Sequence, residues 1–223
     1  MKKVLFVLTS HDRKGNTGVA TGYYLPEAAH PWAILKTQGF EVEFVSPNGG
    51  KPPMEGAETD DPVCLKFLSD PVATKQLANT FTPSQIVAKD YAAILFVGGH
   101  GTMWDFPDNI ELANIAVSIY ESAGVVAAVC HGPAALVNMK LTGGPYLISG
   151  KQLAAFTDEE ERAVKLDKVV PFMLESTLRQ RGALHKAAPN WQCNVVVDGR
   201  LVTGQNPASA ELVGKKIAQL LLA

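Results

Sequence analysis

The chain has 223 residues, of which 47% are hydrophobic, and this is enough for one α/β domain with a complete core. Twenty basic and 22 acidic side chains leave a net charge of −2. Because no basic stripe is present, we expect no nucleic acid or anionic membrane as a partner. No apolar run approaches the length of a membrane span. We therefore expect a single domain over residues 1–223.

The cysteines are Cys64, Cys130 and Cys193, which are too few and too far apart for a disulfide framework. This usage is typical of a reducing compartment, where a thiolate nucleophile stays available. The first residues, MKKVLFVLTS, carry positive charge, but their apolar run is short for a signal-peptide core and no small-residue cleavage site follows. We interpret them as the first strand of the core and expect a cytoplasmic protein.

Short apolar runs alternate along the chain with helical patterns. The runs that predict strands are Val4–Leu8, Val42–Val45, Ala92–Val97, Val125–Val129 and Val195–Val197. The patterns that predict helices are Pro26–Gln38, Asn109–Ser122, Val169–Arg181 and Ser209–Leu222. Such alternation indicates a mostly parallel sheet with helices on both faces, in which Val125–Val129 is a central strand. The stretch from Ser46 to Asp70 is rich in Pro, Gly and acidic residues and is expected to be a surface excursion.

Residues 125–135, VVAAVCHGPAA, pass from an apolar run into a helical pattern at a cysteine. Pro133 suits the first turn of a helix, where its missing N–H costs nothing. A sharp strand-to-helix turn lifts a nucleophile out of the sheet, and the helix N-terminus favours thiolate over thiol. We therefore predict a nucleophile elbow at Cys130; the alternative is a buried structural cysteine.

Sites in parallel sheets lie outside the carboxyl ends of the strands, and the segment Gly98–Gly101 follows one predicted strand. Its glycines permit close backbone approach, so the N–H of Gly99 is a candidate oxyanion donor beside the N–H of His131. A plain turn is the alternative interpretation of this segment. Adjacent residues rarely face each other, so the imidazole of His131 reaches Cys130 only if the elbow backbone is unusual.

Two acidic features carry further hypotheses. Glu27 follows a proline at the start of a helical pattern, where the helix dipole alone favours a carboxylate. If that helix packs near the elbow, burial would keep the carboxyl protonated and let it shuttle protons. The cluster Asp158–Glu161 is ordinarily a solvated helix start, but one member could orient His131 in a triad.

We expect no metal site, because no ligand spacing links the remaining histidines, His11, His30, His100 and His185.

Together these motifs resemble the class I glutamine-amidotransferase-like superfamily, in the PfpI-like branch of heat-shock chaperones called glutathione-independent glyoxalase III. The resemblance covers nearly the whole chain. The most specific motifs, in this order and spacing, are VVAAVCHGPAAL at 125–136, AFTDEEE at 155–161 and DGRLVTGQNPASA at 198–210. Further matches are KVLFVLTS, Pro26-Glu27 with His30-Pro31, Gly39–Ser46 and GGHGTMWDFP at 98–107.

The resemblance implies a flavodoxin-like domain with Cys130 as nucleophile, His131 as its partner and Glu27 as proton shuttle. Within the acidic cluster it implies Glu161 as the third triad member. It further implies that substrate is held by Gly99, His100, Trp104 and Asn206.

The activity that the resemblance implies is that of a lyase converting methylglyoxal to D-lactate, in a stress-protective homodimer without glutathione, cofactor or metal. In that chemistry Cys130 forms a hemithioacetal, and Glu27 or His131 moves a proton through an enediol. Some members of the branch carry an N-terminal extension and a metal site, but the histidines here suggest none, so zinc is not expected.

Other functions stay open on the same motifs. A holdase chaperone would use exposed apolar surface and need no cysteine chemistry. A redox-sensing stress protein would oxidise Cys130 beside Glu27. A cysteine amidase or peptidase is a further alternative, because fold alone does not assign a reaction; the presence of Glu27 argues against a standard amidotransferase.

Overall fold

The computed structural model describes every residue from Met1 to Ala223. The strands are β1 (Lys3–Val7), β2 (Tyr23–Tyr24), β3 (Glu41–Val45), β4 (Met54–Glu55), β5 (Tyr91–Phe96), β6 (Val125–Val129), β7 (Gln152–Leu153), β8 (Leu184–His185), β9 (Val195–Asp198) and β10 (Leu201–Gly204). The helices are α1 (Leu25–Thr37), α2 (Pro62–Ser69), α3 (Pro71–Ala78), α4 (Thr102–Asp105), α5 (Ile110–Glu121), α6 (Asp158–Ala163), α7 (Leu174–Gln180) and α8 (Ala210–Leu222). No helix combines the length and the apolar character needed to span a membrane.

Six strands form the central sheet, in the order β3-β1-β5-β6-β10-β9. Neighbouring strands are parallel except for the antiparallel pair β10 and β9. From β1 the chain crosses through α1 to β3 on one side, and from β5 it crosses through α5 to β6 in the opposite direction. Since such crossovers are right-handed, the two helices cover opposite faces. The predicted flavodoxin-like fold with a mostly parallel sheet is therefore confirmed.

The interior strands are apolar because both of their faces are covered. All five residues of β6 are buried, as are the last four residues of both β1 and β5. Strands of this kind carry near-continuous apolar runs, which is why the sequence revealed them. The chain reverses its direction of winding between β1 and β5, and ligands in such sheets bind beside the carboxyl ends at that point.

One end of the sheet differs from its prediction. The sequence predicted one strand over Val195–Val197, whereas the structure has a hairpin of β9 and β10, and β10 is the strand that pairs with β6. All four residues of β10 are buried. Thr203 and Gly204 interrupt its apolar pattern, so periodicity did not reveal it.

Two further segments depart from expectation for local reasons. The helix predicted over Val169–Arg181 begins only at Leu174, because Pro171 has no N–H to donate within a helix. The surface excursion predicted from Ser46 to Asp70 contains β4 and a complete helix, α2, whose N-terminus is capped by the Asp61 carboxylate. Proline at the first helical position, here Pro62, is common after such a cap.

Candidate active site

The elbow at Cys130 has an unusual backbone. The φ angle of this residue is 59°, a left-handed conformation that residues other than glycine rarely adopt. Its N–H donates to the Gly204 carbonyl and its own carbonyl accepts from the Phe156 N–H, both at 2.9 Å. Strain of this kind persists where the surroundings enforce it, and it clusters at functional sites. The predicted strand–cysteine elbow is present, although the helix after it is a five-residue 3-10 helix, Gly132–Leu136.

That backbone brings two adjacent side chains face to face. The Sγ atom of Cys130 lies 3.3 Å from Nδ1 of His131, and Nε2 of His131 lies 2.7 Å from Oε2 of Glu161. Because an ionised carboxylate only accepts hydrogen bonds, Nε2 carries the hydrogen and Nδ1 presents a lone pair to the thiol. The three side chains have the connectivity of a Cys–His–carboxylate triad.

Glu161 is the member of the acidic cluster that reaches His131, and the start of α6 explains why. The Thr157 hydroxyl accepts from the Glu160 N–H, and the Glu160 carboxylate accepts from the Thr157 N–H, each at 3.0 Å. This reciprocal capping box sets where the helix begins. The Glu160 side chain therefore turns back to the Thr157 N–H, and Glu161 is the residue that reaches His131.

The Glu161 carboxylate binds two imidazoles at once. Its Oε1 atom accepts from Nε2 of His100 at 2.9 Å, while its Oε2 atom accepts from His131. Burial raises the pKa of Glu161, but the hydrogen bonds from His100 and His131 outweigh it and lower the pKa to about 2. Burial and the neighbouring His100 lower the pKa of His131 to about 4. At neutral pH the site therefore pairs an ionised carboxylate with a neutral imidazole base.

Glu27 approaches the thiol from the first turn of α1. Its carboxyl group is fully buried, and burial raises its pKa to about 8, which the nearby Cys130 thiol and Gly98 backbone offset only in part. Neither oxygen makes a hydrogen bond of ordinary geometry. Gly98 makes this approach possible, since a Cβ there would collide with the carboxyl and lie 2.9 Å from Cβ of Cys130. A carboxyl so placed stays protonated at neutral pH.

The protonation of Cys130 differs from the sequence-based expectation. Burial, together with the facing Glu27 carboxyl, raises the pKa of the thiol, and the His131 N–H offsets this only in part. The prediction of a thiolate sustained by a helix N-terminus is therefore wrong. The helix is too short to offset burial, so the thiol keeps its proton until His131 accepts it.

Gly99 and His131 line the same cavity as the Cys130 thiol, and each has a backbone amide available to a ligand. Neither the Gly99 N–H nor the His131 N–H donates to a backbone carbonyl. Gly99 has a φ of 110°, and a Cβ there would collide with the Gly22 carbonyl, so only glycine fits. The Thr102 hydroxyl contacts the carbonyl oxygens of both Gly99 and His131, at 2.9 and 3.0 Å. Sequence reasoning missed this threonine because its role depends on two loops that meet only in the fold.

A cavity of about 450 Å³ opens above these groups. Its wall includes Glu27, Gly99, His100, Cys130 and His131, which the sequence had singled out, together with Lys14, Thr17, Val19, Tyr24, Glu55, Phe156, Val164, Leu166, Trp191 and Pro207. Two residues predicted to hold substrate lie outside this wall. Trp104 stacks on the His11 ring with 5.0 Å between centroids. Asn206 is buried and donates from Nδ2 to the Glu160 carboxylate at 2.9 Å.

Two groups of side chains lie close enough to share a metal ion, with their ligand atoms within 4.8 Å of one another. One is His100, His131 and Glu161, and the other is His30, Asp61 and Cys64. The sequence spacing indicated neither group, because the members of each lie on different elements of the fold.

Fold and site together define a cysteine-centred α/β protein, and the comparisons with known proteins assign its family. Residues 18–220 match the model of the DJ-1/PfpI family, so the chain belongs to that family, as its motifs indicated. The glutathione-independent glyoxalase HSP31 of Saccharomyces cerevisiae is 39% identical, over 94% of this chain and 93% of the relative.

Solved structures agree with this assignment. The structure of glyoxalase III from Candida albicans has a TM-score of 0.89 and 29% identity, and it covers 98% of this chain and 97% of that one. The Rapid Encystment Protein 24 kDa of Francisella tularensis has a TM-score of 0.95 and 40% identity, covering 99% of both chains.

Proposed function

We propose that this protein is a glutathione-independent glyoxalase that converts methylglyoxal to D-lactate. The observation that carries the proposal is the placement of the Cys130 thiol between a neutral base, His131, and a neutral acid, Glu27, at the floor of one cavity. An isomerisation that moves a proton between neighbouring carbons needs an acid and a base on the same substrate. The names of the yeast relatives support the same activity.

In the first step, Sγ of Cys130 attacks the aldehyde carbon while the thiol proton passes to Nδ1 of His131. Glu161 stabilises the imidazolium that forms, as the carboxylate of a triad does. The N–H groups of Gly99 and His131 hold the oxygen anion that develops on the former aldehyde. The imidazolium then returns its proton to that oxygen, which completes a neutral hemithioacetal and restores the base.

In the second step, His131 removes the hydrogen from the thiol-bearing carbon while Glu27 donates its proton to the neighbouring ketone oxygen, and an enediol results. The imidazolium then protonates the second carbon, and the ionised Glu27 recovers a proton from the enol hydroxyl on the first. The product is a thioester of lactate on Cys130. Water attacks the thioester carbonyl, the sulfur leaves and is reprotonated, and lactate is released.

The test follows lactate formation from methylglyoxal by proton NMR, without glutathione, for the wild type, Cys130→Ala and Glu27→Gln. We expect turnover in the wild type and a loss of about 10³-fold or more in both variants, since each removes a group that reacts. Cys193→Ala is the matched control, because that cysteine is exposed, and it should turn over normally. Turnover that survives Cys130→Ala would overturn the mechanism. An inactive wild type that suppresses client aggregation would favour the chaperone alternative.

We further propose that the chain is one domain over residues 1–223, acts in the cytoplasm and forms a homodimer. The unpaired state of all three cysteines supports a reducing compartment. The homodimer rests on the family resemblance alone. Sedimentation velocity over a range of protein concentrations tests it, and a single monomeric species at all concentrations would contradict it.

A further inference from the structure

The cavity is large for the substrate just proposed. It encloses about 450 Å³, within the range of about 300–1,000 Å³ that is typical of sites for drug-sized ligands. Methylglyoxal has only five non-hydrogen atoms. A single water molecule takes a share of about 30 Å³ in the liquid. A three-carbon aldehyde bound at Cys130 therefore leaves most of the space unfilled.

The unfilled part has an apolar wall. Val19, Val164, Leu166 and Trp191 line it, and they come from three separate segments of the chain. Val19, Val164 and Trp191 are 54%, 38% and 48% exposed, which places them among the exposed large hydrophobic residues of the molecule. Exposed apolar side chains gathered around one opening indicate a binding surface rather than scattered surface residues.

This wall is continuous with the reacting groups. The ring of Phe156 lies 4.3 Å from the His131 ring and 5.8 Å from the Trp191 ring, between centroids. Aromatic rings therefore lead from the base beside the thiol to the mouth of the cavity. A substrate attached at Cys130 has its second carbon near His131, so a substituent on that carbon can extend along these rings.

Trp191 is held in place at a conformational cost. Its φ angle is 66°, which for a bulky residue is an outlier. Its N–H donates to Oε1 of Glu160 at 2.9 Å, and this fully buried carboxylate also accepts from Asn206 and Thr157. By contrast, Lys165 has a φ of 60° because it ends α6 in an ordinary helix-terminating turn. Strain enforced by a buried network is typical of functional sites.

The charged residues of the wall disfavour an anionic substituent. Nζ of Lys14 lies 3.3 Å from Oε2 of Glu55, and both residues line the cavity. The ammonium group is therefore already compensated, and the wall contains no other lysine or arginine. A phosphate or carboxylate tail would find no unpaired cation there.

We propose that Trp191, Phe156, Val164, Leu166 and Val19 form a subsite for a large apolar substituent on the second carbon of a 2-oxoaldehyde. The enzyme then prefers aryl and longer alkyl 2-oxoaldehydes to methylglyoxal. This proposal rests on the proposed glyoxalase function and names the substrate class of the same site.

The test measures kcat/KM for methylglyoxal, 2-oxohexanal and phenylglyoxal in the wild type, Trp191→Ala, Trp191→Phe and Val72→Ala. We expect the wild type to favour the two larger substrates by about tenfold or more, in line with the discrimination that apolar contacts provide. Trp191→Ala should lower the ratio of phenylglyoxal to methylglyoxal by about tenfold, and Trp191→Phe should restore part of it. Val72 is 56% exposed on α3, away from the cavity, so Val72→Ala should leave the ratio unchanged.

Comparison of ratios between variants cancels the intrinsic reactivity of each aldehyde. Turnover of methylglyoxal without any preference for the larger substrates, or a ratio that Trp191→Ala does not change, would overturn the subsite while leaving the glyoxalase function intact. Absence of turnover with all three substrates would overturn both. Sedimentation velocity of each variant completes the test: a change of ratio that accompanies dissociation of a dimer would assign the apolar mouth to an interface between copies instead.

Discussion

Two carboxyl groups at the same thiol have opposite charge states, and their surroundings explain the difference. Glu161 is ionised because two imidazole N–H groups bind it, whereas Glu27 is buried without a strong donor and stays protonated. Environments that separate the pKa values of neighbouring carboxyl groups assign them different roles in acid–base chemistry. In the proposed mechanism, Glu161 holds the base and Glu27 supplies the acid.

The buried state of Glu27 makes the folded protein sensitive to pH. The unfolded chain ionises this carboxyl near its ordinary pKa of 4.5, while the folded chain keeps it protonated up to about 8. Stability from this group is complete below pH 4.5 and is lost progressively as the pH rises to about 8. Glu27→Gln removes the ionisation. The free energy of unfolding of this variant, relative to the wild type, should therefore increase by about 3 kcal/mol from about pH 5 to about pH 7.5.

Urea unfolding of both proteins across this range measures the difference. Glu43→Gln provides the control, since that partly exposed carboxylate is paired with Lys3 and its replacement should not produce a gain that grows with pH. A constant difference between Glu27→Gln and the wild type would show that Glu27 ionises in the folded protein at its ordinary pKa.

At the scale of elements, the sequence predicted those parts of the site that local pattern determines. The elbow could be located because β6 is apolar throughout and a cysteine follows it directly. The acidic cluster could be placed at a helix start because acidic residues are common in the first turn of a helix. The meeting of Glu27 with Cys130 and the position of Trp191 could not be derived, because each depends on contacts between distant segments. Trp104 and Asn206 lie outside the cavity wall, and their order in the sequence carries no information about which side chains face the cavity.

The capping box at the start of α6 is expected to serve catalysis as well as stability. Thr157→Ala removes the hydroxyl that accepts from the Glu160 N–H, at a cost of about 1 kcal/mol in the free energy of unfolding. Because the cap sets the first turn, Glu161 should lose its alignment with His131, and kcat for methylglyoxal should fall by about tenfold or more. Chemical denaturation and lactate production measure the two effects.

A second helix cap separates the two roles of Thr157. Asp70 caps α3 by accepting from the N–H groups of Val72 and Ala73, and its removal in Asp70→Ala should cost similar stability without loss of kcat. Thr157→Ser keeps the hydroxyl and should retain most of the activity. Equal losses of kcat in Asp70→Ala and Thr157→Ala would assign the effect to general destabilisation.

For the whole molecule, packing connects the two ends of the chain. A single core cluster of 56 buried residues extends from Val4 to Leu221, and α8 at the C-terminus packs against α1 near the N-terminus. Lys2 donates from Nζ to the Leu221 carbonyl. Glu27 lies on α1 and Cys130 follows β6, and both elements pack in this one core. Loosening the packing of either element should therefore disturb the elbow.

Because the core is continuous, we expect the protein to unfold in one cooperative transition, as small single domains do. Far-UV circular dichroism reports the helices, and tryptophan fluorescence reports Trp32 in the core, Trp104 on α4 and Trp191 at the cavity, so the two denaturation curves should coincide. Curves with different midpoints would divide the chain into separate folding units and contradict a single domain over residues 1–223. Repeating the measurement at tenfold higher protein concentration tests the homodimer, since association stabilises the folded state by mass action and raises the midpoint.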